Sequence, residues 1–431
     1  VAGLLAAGLV ALPAEGAESA TLVAPPVAHT FGVRRVSAKE LGIFLPGVAI
    51  RSPGAIATAL LEATDRKDDR GDDDEVTIVA LDSATGNVFT NYGLLRVGTW
   101  NGAGTEVGTL RAPTGVAIDR AGRVAVTDTG NKRVVLLQHD GTELRPVRAF
   151  DGFLEPTGIA PDGRGGFWVC DRRANAVFHL DTATGERTTF GLEVGFDRPI
   201  ACATIPQGEN MPSGTKRALV VVDQDGRRLR SFDPTGVLRA SIEAASLADG
   251  GASFDAIDLD YYGNVYVVDR AGDRLHKLRH DLLPLDTFGG RGEAEGQFLS
   301  PRGIAIHRKL GQVFVTEEDG GQYLWVGTDV KDFRADDRGD EVAFSFLLTE
   351  ESTVDVRILD VRGEEVSVLT SGSRHPAGPQ RGSWDGTDRS GRRVRGGDYL
   401  AEIRARATYA SRSTYEKKLL RTFTLGRAGA P

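Results

Sequence analysis

Pro113-Thr-Gly-Val-Ala-Ile-Asp119, Arg123-Val-Ala-Val-Thr-Asp128 and Lys132-Arg-Val-Val-Leu-Leu137 are three short apolar runs separated by turn residues. The unit recurs along the chain. Pro301-Arg-Gly-Ile-Ala-Ile306 leads into Gln312-Val-Phe-Val-Thr-Glu317, and Pro156-Thr-Gly-Ile-Ala160 leads into Phe167-Trp-Val-Cys-Asp171. Ala256-Ile-Asp-Leu-Asp260 leads into Asn264-Val-Tyr-Val-Val-Asp269 in the same way. Each unit reads as strand, turn, strand, turn, strand. Pro113, Pro156 and Pro199 are 43 residues apart, close to the length of a four-stranded propeller blade. Divergent units begin near Pro53 and Pro199, with insertions at 59–75 and 205–216, which makes six.

The sixth unit, from Pro301 to about Val330, has only three evident strands. Val27-Ala-His-Thr-Phe-Gly32 matches the outer-strand ending Leu285-Asp-Thr-Phe-Gly289 and is expected to complete it through residues 27–31. A ring closed in this way leaves no open sheet edge.

Composition agrees with an all-β, turn-rich protein: 54 of 431 residues are glycine, while 40% are hydrophobic and 26% charged. The net charge of -8 argues against a sequence-independent grip on nucleic-acid phosphates. Val1 to Ala14 is an apolar run followed by small residues, as in the core and cleavage site of a secretory signal, so residues 1–20 are expected to lie outside the fold. No other stretch is long and apolar enough to span a membrane. The expected location is therefore extracellular, cell-surface or periplasmic.

Thr127-Asp-Thr-Gly-Asn-Lys-Arg-Val134 and Phe288-Gly-Gly-Arg-Gly-Glu-Ala-Glu-Gly-Gln-Phe298 resemble the NHL repeat, and the likeness extends over residues 25–330. The resemblance implies a six-bladed β-propeller. The first unit lacks the Asn-x-Arg-Val element, and the fourth carries Pro199-Ile-Ala-Cys202 in place of Pro-x-Gly. After Val330 the charged stretch 331–341 reads as a linker. A new alternating pattern then runs through Val342–Leu347, Val354–Leu359, Val366–Leu369, Tyr399–Ile403 and Leu419–Leu425, suited to a β-sandwich over 342–427. Val356-Arg-Ile-Leu-Asp-Val-Arg-Gly363 and Trp384-Asp-Gly-Thr-Asp-Arg-Ser-Gly391 resemble the immunoglobulin-like domain of FlgD. Related domains serve as sorting tails in some export systems, so the resemblance permits contact with cell-surface or export machinery.

Asp82, Asp128, Asp171, Asp223, Asp269 and Glu317 end the second strands. Their repetition points to turn-building hydrogen bonds rather than to a cation site. Arg51, Arg111, Arg198 and Arg302 precede the first strands, and if they converge at one channel mouth they form a site for carboxylates, sulfates or phosphates. Cys170 and Cys202, the two cysteines, lie on adjacent blades and read equally as one disulfide or as two buried thiols.

The Gly-x-Ser-x-Gly, His-Glu-x-x-His and Walker motifs are absent, and the seven histidines have no metal-ligand spacing. The expectation is an exported binding or scaffold protein with no catalytic residues, metal or cofactor. Its partner would be a protein or an acidic glycan or other polyanion, and not nucleic acid. The alternative is a propeller lyase or lactonase with a metal at the channel mouth.

Overall fold

The short apolar runs become four-stranded antiparallel sheets because each is buried on both faces between its neighbours, which demands continuous rather than alternating hydrophobicity. The computed structural model describes residues 19–24, 35–65, 76–92, 96–209, 212, 218–247, 251–339, 341–413 and 415–426. Blade one comprises Pro53–Leu60, Val76–Asp82, Val88–Tyr92 and Arg96–Trp100, and blade two Gly115–Ile118, Arg123–Asp128, Arg133–His139 and Leu144–Phe150. Blade three is Pro156–Pro161, Gly166–Asp171, Ala176–Asp181 and Arg187–Phe190, and blade four is Ala201–Thr204, Leu219–Asp223, Arg228–Phe232 and Leu238–Glu243. Ala256–Leu259, Val265–Asp269, Arg274–Leu278 and Pro284–Gly289 form blade five.

Blade six contains Gly303–His307, Gln312–Glu317 and Gly320–Val326, and its outer edge is closed from the N-terminus. Leu22 pairs with Val326 and Val23 with Trp325, while Arg35 pairs with Gln322 and Val36 with Gly321. The strand expected at 27–31 falls outside the described residues, but the pairing on either side of it makes the N-terminal segment part of the last blade. Residues 1–18 are likewise outside the described set. Ala20, assigned to the leader by its sequence, is in the fold: it is buried, and its N–H donates to Asp329 Oδ2 at 3.0 Å.

The Pro-x-Gly signature has a steric origin. A Cβ at Gly158 would lie 2.5 Å from Ala201 Cα and 2.8 Å from Ile200 O, both in the next blade, and one at Gly115 would lie 2.2 Å from Thr157 O. In blades two, three and six, where Gly115, Gly158 and Gly303 stand, the neighbouring inner strand approaches too closely for a side chain, whereas blades four and five carry Ala201 and Ala256 at this position. Gly158→Ala is expected to cost about 2 kcal/mol through overpacking against backbone. Chemical denaturation checks this, and an unchanged midpoint would contradict it.

The stretch 331–341 is not a linker. Val330–Asp337 is a strand paired with Val342–Leu348, and Val330 and Phe333, on either side of a register shift between Lys331 and Arg334, supply core contacts despite the surrounding charge. Gly378–Trp384 completes this sheet, and Glu365–His375, Ser352–Asp360, Gly397–Ala407 and Lys417–Leu425 form the second. Their facing apolar residues, among them Phe346, Val354, Ile403 and Trp384, make the sandwich core. Asp385 and Asp388 accept N–H bonds from Thr387 and Ser390, so this acidic stretch builds a hairpin turn.

The two domains meet through buried polar contacts. Lys277 Nζ of blade five lies 2.5 Å from Glu350 Oε2 and 3.9 Å from Asp260 Oδ2, with all three side chains fully buried. Asn264 Nδ2 donates to Asp260 at 3.0 Å and approaches Glu350 at 3.4 Å. Tyr262 Oη bonds Thr408 Oγ1 at 2.6 Å and accepts from Arg374 Nη2 at 2.8 Å.

Candidate functional site

The repeated acids end the second strands at the turn face, where each reaches back to the link that enters its own blade. Asp82 accepts the N–H groups of Arg51 and Ser52 at 2.5 and 2.9 Å and those of Ala84 and Thr85 in its own turn. Asp128 takes Arg111 N–H at 2.7 Å, Asp171 takes Leu154 N–H at 2.7 Å, and Asp223 takes Asp197 N–H at 2.9 Å. Ser253 and Leu299 donate in the same way to Asp269 and Glu317. Six buried acids thus staple links to turns, satisfying backbone donors that the sheets leave unpaired. Burial by itself raises the Asp269 carboxyl, yet hydrogen bonds from His276, Arg274 and backbone N–H groups hold it down at about 2. Glu317 shows the opposite balance, with burial pushing its carboxyl up.

The four arginines anticipated at the first strands are on this face but are not equivalent. Arg198 pairs with Asp225 at 2.7 Å and Asp197 at 3.2 Å. Arg302 lines the central cavity and donates to Ser52 Oγ at 2.7 Å and Pro53 O at 3.3 Å, joining blade six to blade one; burial, then nearby Arg270, lowers its pKa. Arg51 and Arg111 are exposed and have no ion-pair partner among the described residues. The turns after the second strands add exposed Lys132, Arg173, Arg227 and Arg270, which also lack a carboxylate within ion-pair distance among the described residues. These cations lie in the turns, away from the positions before the first strands where the repeat is most regular. Their signal was there in the turns Lys132-Arg133, Arg172-Arg173 and Arg227-Arg228.

Cys170 and Cys202 are unbridged and buried in one cluster with Phe190, Phe196 and Phe232 between blades three and four. Burial, then the neighbouring Cys202, raises the Cys170 thiol far above its usual range, so it stays protonated.

A central cavity of 940 Å³ follows the axis between the six inner strands. At the end away from the ring of acids it is lined by Arg308, Asp258 and Glu209, with Tyr261 and Tyr262 of blade five and with Arg374, Thr408 and Tyr409 of the C-terminal domain. Arg308 pairs with Asp258 at 2.9 Å and with Glu209 at 3.3 Å. His307 ends the inner strand of blade six at this end, opposite the arginines. No group of three or more His, Cys, Asp or Glu among the described residues is placed to hold a metal ion.

Comparison with known proteins agrees with the architecture. Residues 110–135 match the NHL repeat, and residues 327–409 match the FlgD Ig-like domain. The chain carries both modules, and the second begins ahead of the charged stretch, in accord with the paired strand Val330–Asp337. Among solved structures, the propeller is similar to virginiamycin B lyase from Staphylococcus aureus, at 11% identity over 68% of this chain and 91% of that chain, with a TM-score of 0.40. It is also similar to a gluconolactonase from Xanthomonas campestris, at 15% identity over 70% of this chain and 98% of that one, with a TM-score of 0.45. A nidogen/laminin complex aligns at 21% identity over 50% of this chain and 76% of that one, with a TM-score of 0.38. These likenesses concern the fold. No curated protein sequence matches the chain.

Proposed function

We propose that this is an exported, non-enzymatic binding and scaffold protein whose propeller holds a partner bearing carboxylates or sulfates on the face made by its links and turns. The observation that carries this reading is the set of exposed cations Arg51, Arg111, Lys132, Arg173, Arg227 and Arg270, spread over blades one to five. The acids of the same face are differently disposed. The six at the strand ends are buried and committed to backbone, while Glu155, Asp197 and Asp225 are held by Arg172 and Arg198. The links and turns also carry exposed acids, Asp151, Glu243, Glu318 and Asp319 among them, so the attraction is local to these cations rather than a net charge of the face. Guanidiniums present planar donor pairs that match carboxylate and sulfate oxygens. The C-terminal domain docks at the opposite end and leaves this face open, which suits a scaffold that presents the propeller outward.

The test is retention on an immobilised sulfated or carboxylated polysaccharide. Changing Arg111, Lys132, Arg173 and Arg227 together to alanine should lower the eluting salt concentration and flatten the salt dependence, since four exposed charges are lost without touching the core. Equal retention of this variant and the wild type would refute the reading.

A further inference from the structure

The inner strands carry one departure from their repeat that blade geometry does not require. Ala57, Ala117, Ala160, Ala203 and Ala305 occupy one equivalent position, each paired with the residue three before the strand-end acid of its blade. In blade five that position, opposite Tyr266, is Asp258. Five blades build the same strand around alanine, so the carboxylate is not needed for the fold. It faces the central cavity, where Asp258 Oδ2 accepts the Ile306 N–H at 2.7 Å and Oδ1 accepts from Arg308 Nη2 at 2.9 Å. Arg308 in turn reaches Glu209 at 3.3 Å and Thr204 O at 3.1 Å. The group is held in place by bonds from three blades.

Its chemistry limits what it can bind. The charges lining the cavity balance at six acids and six Arg or Lys, several of them paired: Arg308 with Asp258 and Glu209, Arg123 with Asp119 at 2.7 Å, and Arg120 with Asp65 at 3.4 Å. A charged ligand would find one sign of charge repelling it for every one attracting it. A carboxylate has about four acceptor positions, and three of those on Asp258 are taken, by the Ile306 and Leu259 N–H groups and by Arg308, which leaves one acceptor beside fixed guanidinium donors. A hydroxyl group, donor and acceptor at once, complements that arrangement. At the mouth, Tyr261, Tyr262 and Tyr409 pack with ring centroids 5.2 to 5.5 Å apart at interplanar angles of 42° to 79° and supply aromatic surface. The volume of 940 Å³ is within the range of small-molecule sites, and the site lies at a domain junction, where such sites concentrate. We infer that the blade-five side of the channel is a binding site for a neutral, hydroxyl-rich ligand, a sugar or polyol, with Asp258 and Arg308 as its polar anchor.

Asp258→Ala installs the residue that the other five blades already carry, so this variant should fold. Titration calorimetry with glucose, galactose, mannose and disaccharides of these sugars should show binding of at least one to the full-length protein. Asp258→Ala should weaken that binding by about tenfold or more, as expected when a charge-assisted hydrogen bond is lost, and Asp258→Asn, which keeps an acceptor for the Ile306 N–H, should weaken it too with a smaller loss in thermal midpoint. The link-face variant at Arg111, Lys132, Arg173 and Arg227 should bind the sugar as wild type does, which separates this site from the anion-binding face. Failure of every sugar in the panel to bind, or equal affinity in Asp258→Ala, would overturn the assignment.

Discussion

Lys277→Met should destabilise the protein by about 3–5 kcal/mol, the cost of removing one partner from a fully buried ion pair and leaving uncompensated charge behind. Lys277 is enclosed by Glu350, Asp260 and Asn264, with Nζ 4.9 Å from the ring centroid of Tyr266, and neither acid has access to water. Because Glu350 belongs to the C-terminal domain and Lys277 to the propeller, the loss should appear as separation of the two domains into distinct unfolding transitions. A single transition with an unchanged midpoint in urea would contradict this. The same cluster predicts a pH dependence. Burial, and the nearby Asp260 charge, raise Glu350 to about 8 against the opposing pull of Lys277. A carboxyl raised on folding contributes stability that is fully present below its unfolded value of 4.5 and is lost as pH rises through its folded value. Between pH 6 and pH 9 the wild type should therefore lose interdomain stability, and Glu350→Gln, which cannot ionise, should lose less. Equal losses in both would place the titration elsewhere.

Truncation through Val36 is expected to cost about 4 kcal/mol, because it uncovers the last blade and removes buried Leu22 and Val23, each worth about 1.5–3 kcal/mol. Thr21 Oγ1 also bonds Asp286 Oδ2 at 2.5 Å, and the Gly327 N–H donates to Thr21 O at 2.9 Å, so the segment ties blade five and the domain junction together as well. The exposed edge of Gly320–Val326 should in addition make the truncated protein self-associate. Denaturation midpoints and light scattering measure the two effects. A truncated protein as stable and as monomeric as the full chain would show that the N-terminal strand is an ornament of the ring rather than its clasp.

Much of this architecture is legible in the chain because propeller blades are built from local rules. The Pro-x-Gly-Ile-Ala inner strand states a steric need at the axis, and the acid ending each second strand states a hydrogen-bonding need at the turn, so repetition reveals both. The immunoglobulin-like strands are legible for the same reason, through alternation and Asp-Gly turns. Residues 331–341 misled because charge on the outward side of Val330–Asp337 looks the same in sequence as charge in a linker; only pairing with Val342–Leu348 distinguishes them. The N-terminal clasp was foreseeable as a missing fourth strand, but its anchors at Leu22–Val23 and Arg35–Val36 depend on contacts about 300 residues away.

What the sequence by itself determined is everything that repeats: six blades, their strand order, the glycines at the axis and the acids at the turns. The tertiary structure alone decided which charges remain available. Arg198 and Arg302 look like Arg51 and Arg111 in the alignment, yet the first is neutralised by Asp225 from the adjoining turn and the second is spent on Ser52 across the closing seam. Asp258 stands in plain view among the quoted strands, but it acquires meaning only when the ring sets it beside Arg308 from one neighbouring blade and Glu209 from the other. A repeat encodes contacts within and between successive units through local spacing. Pairing across the ring depends on long-range closure, which no local pattern records.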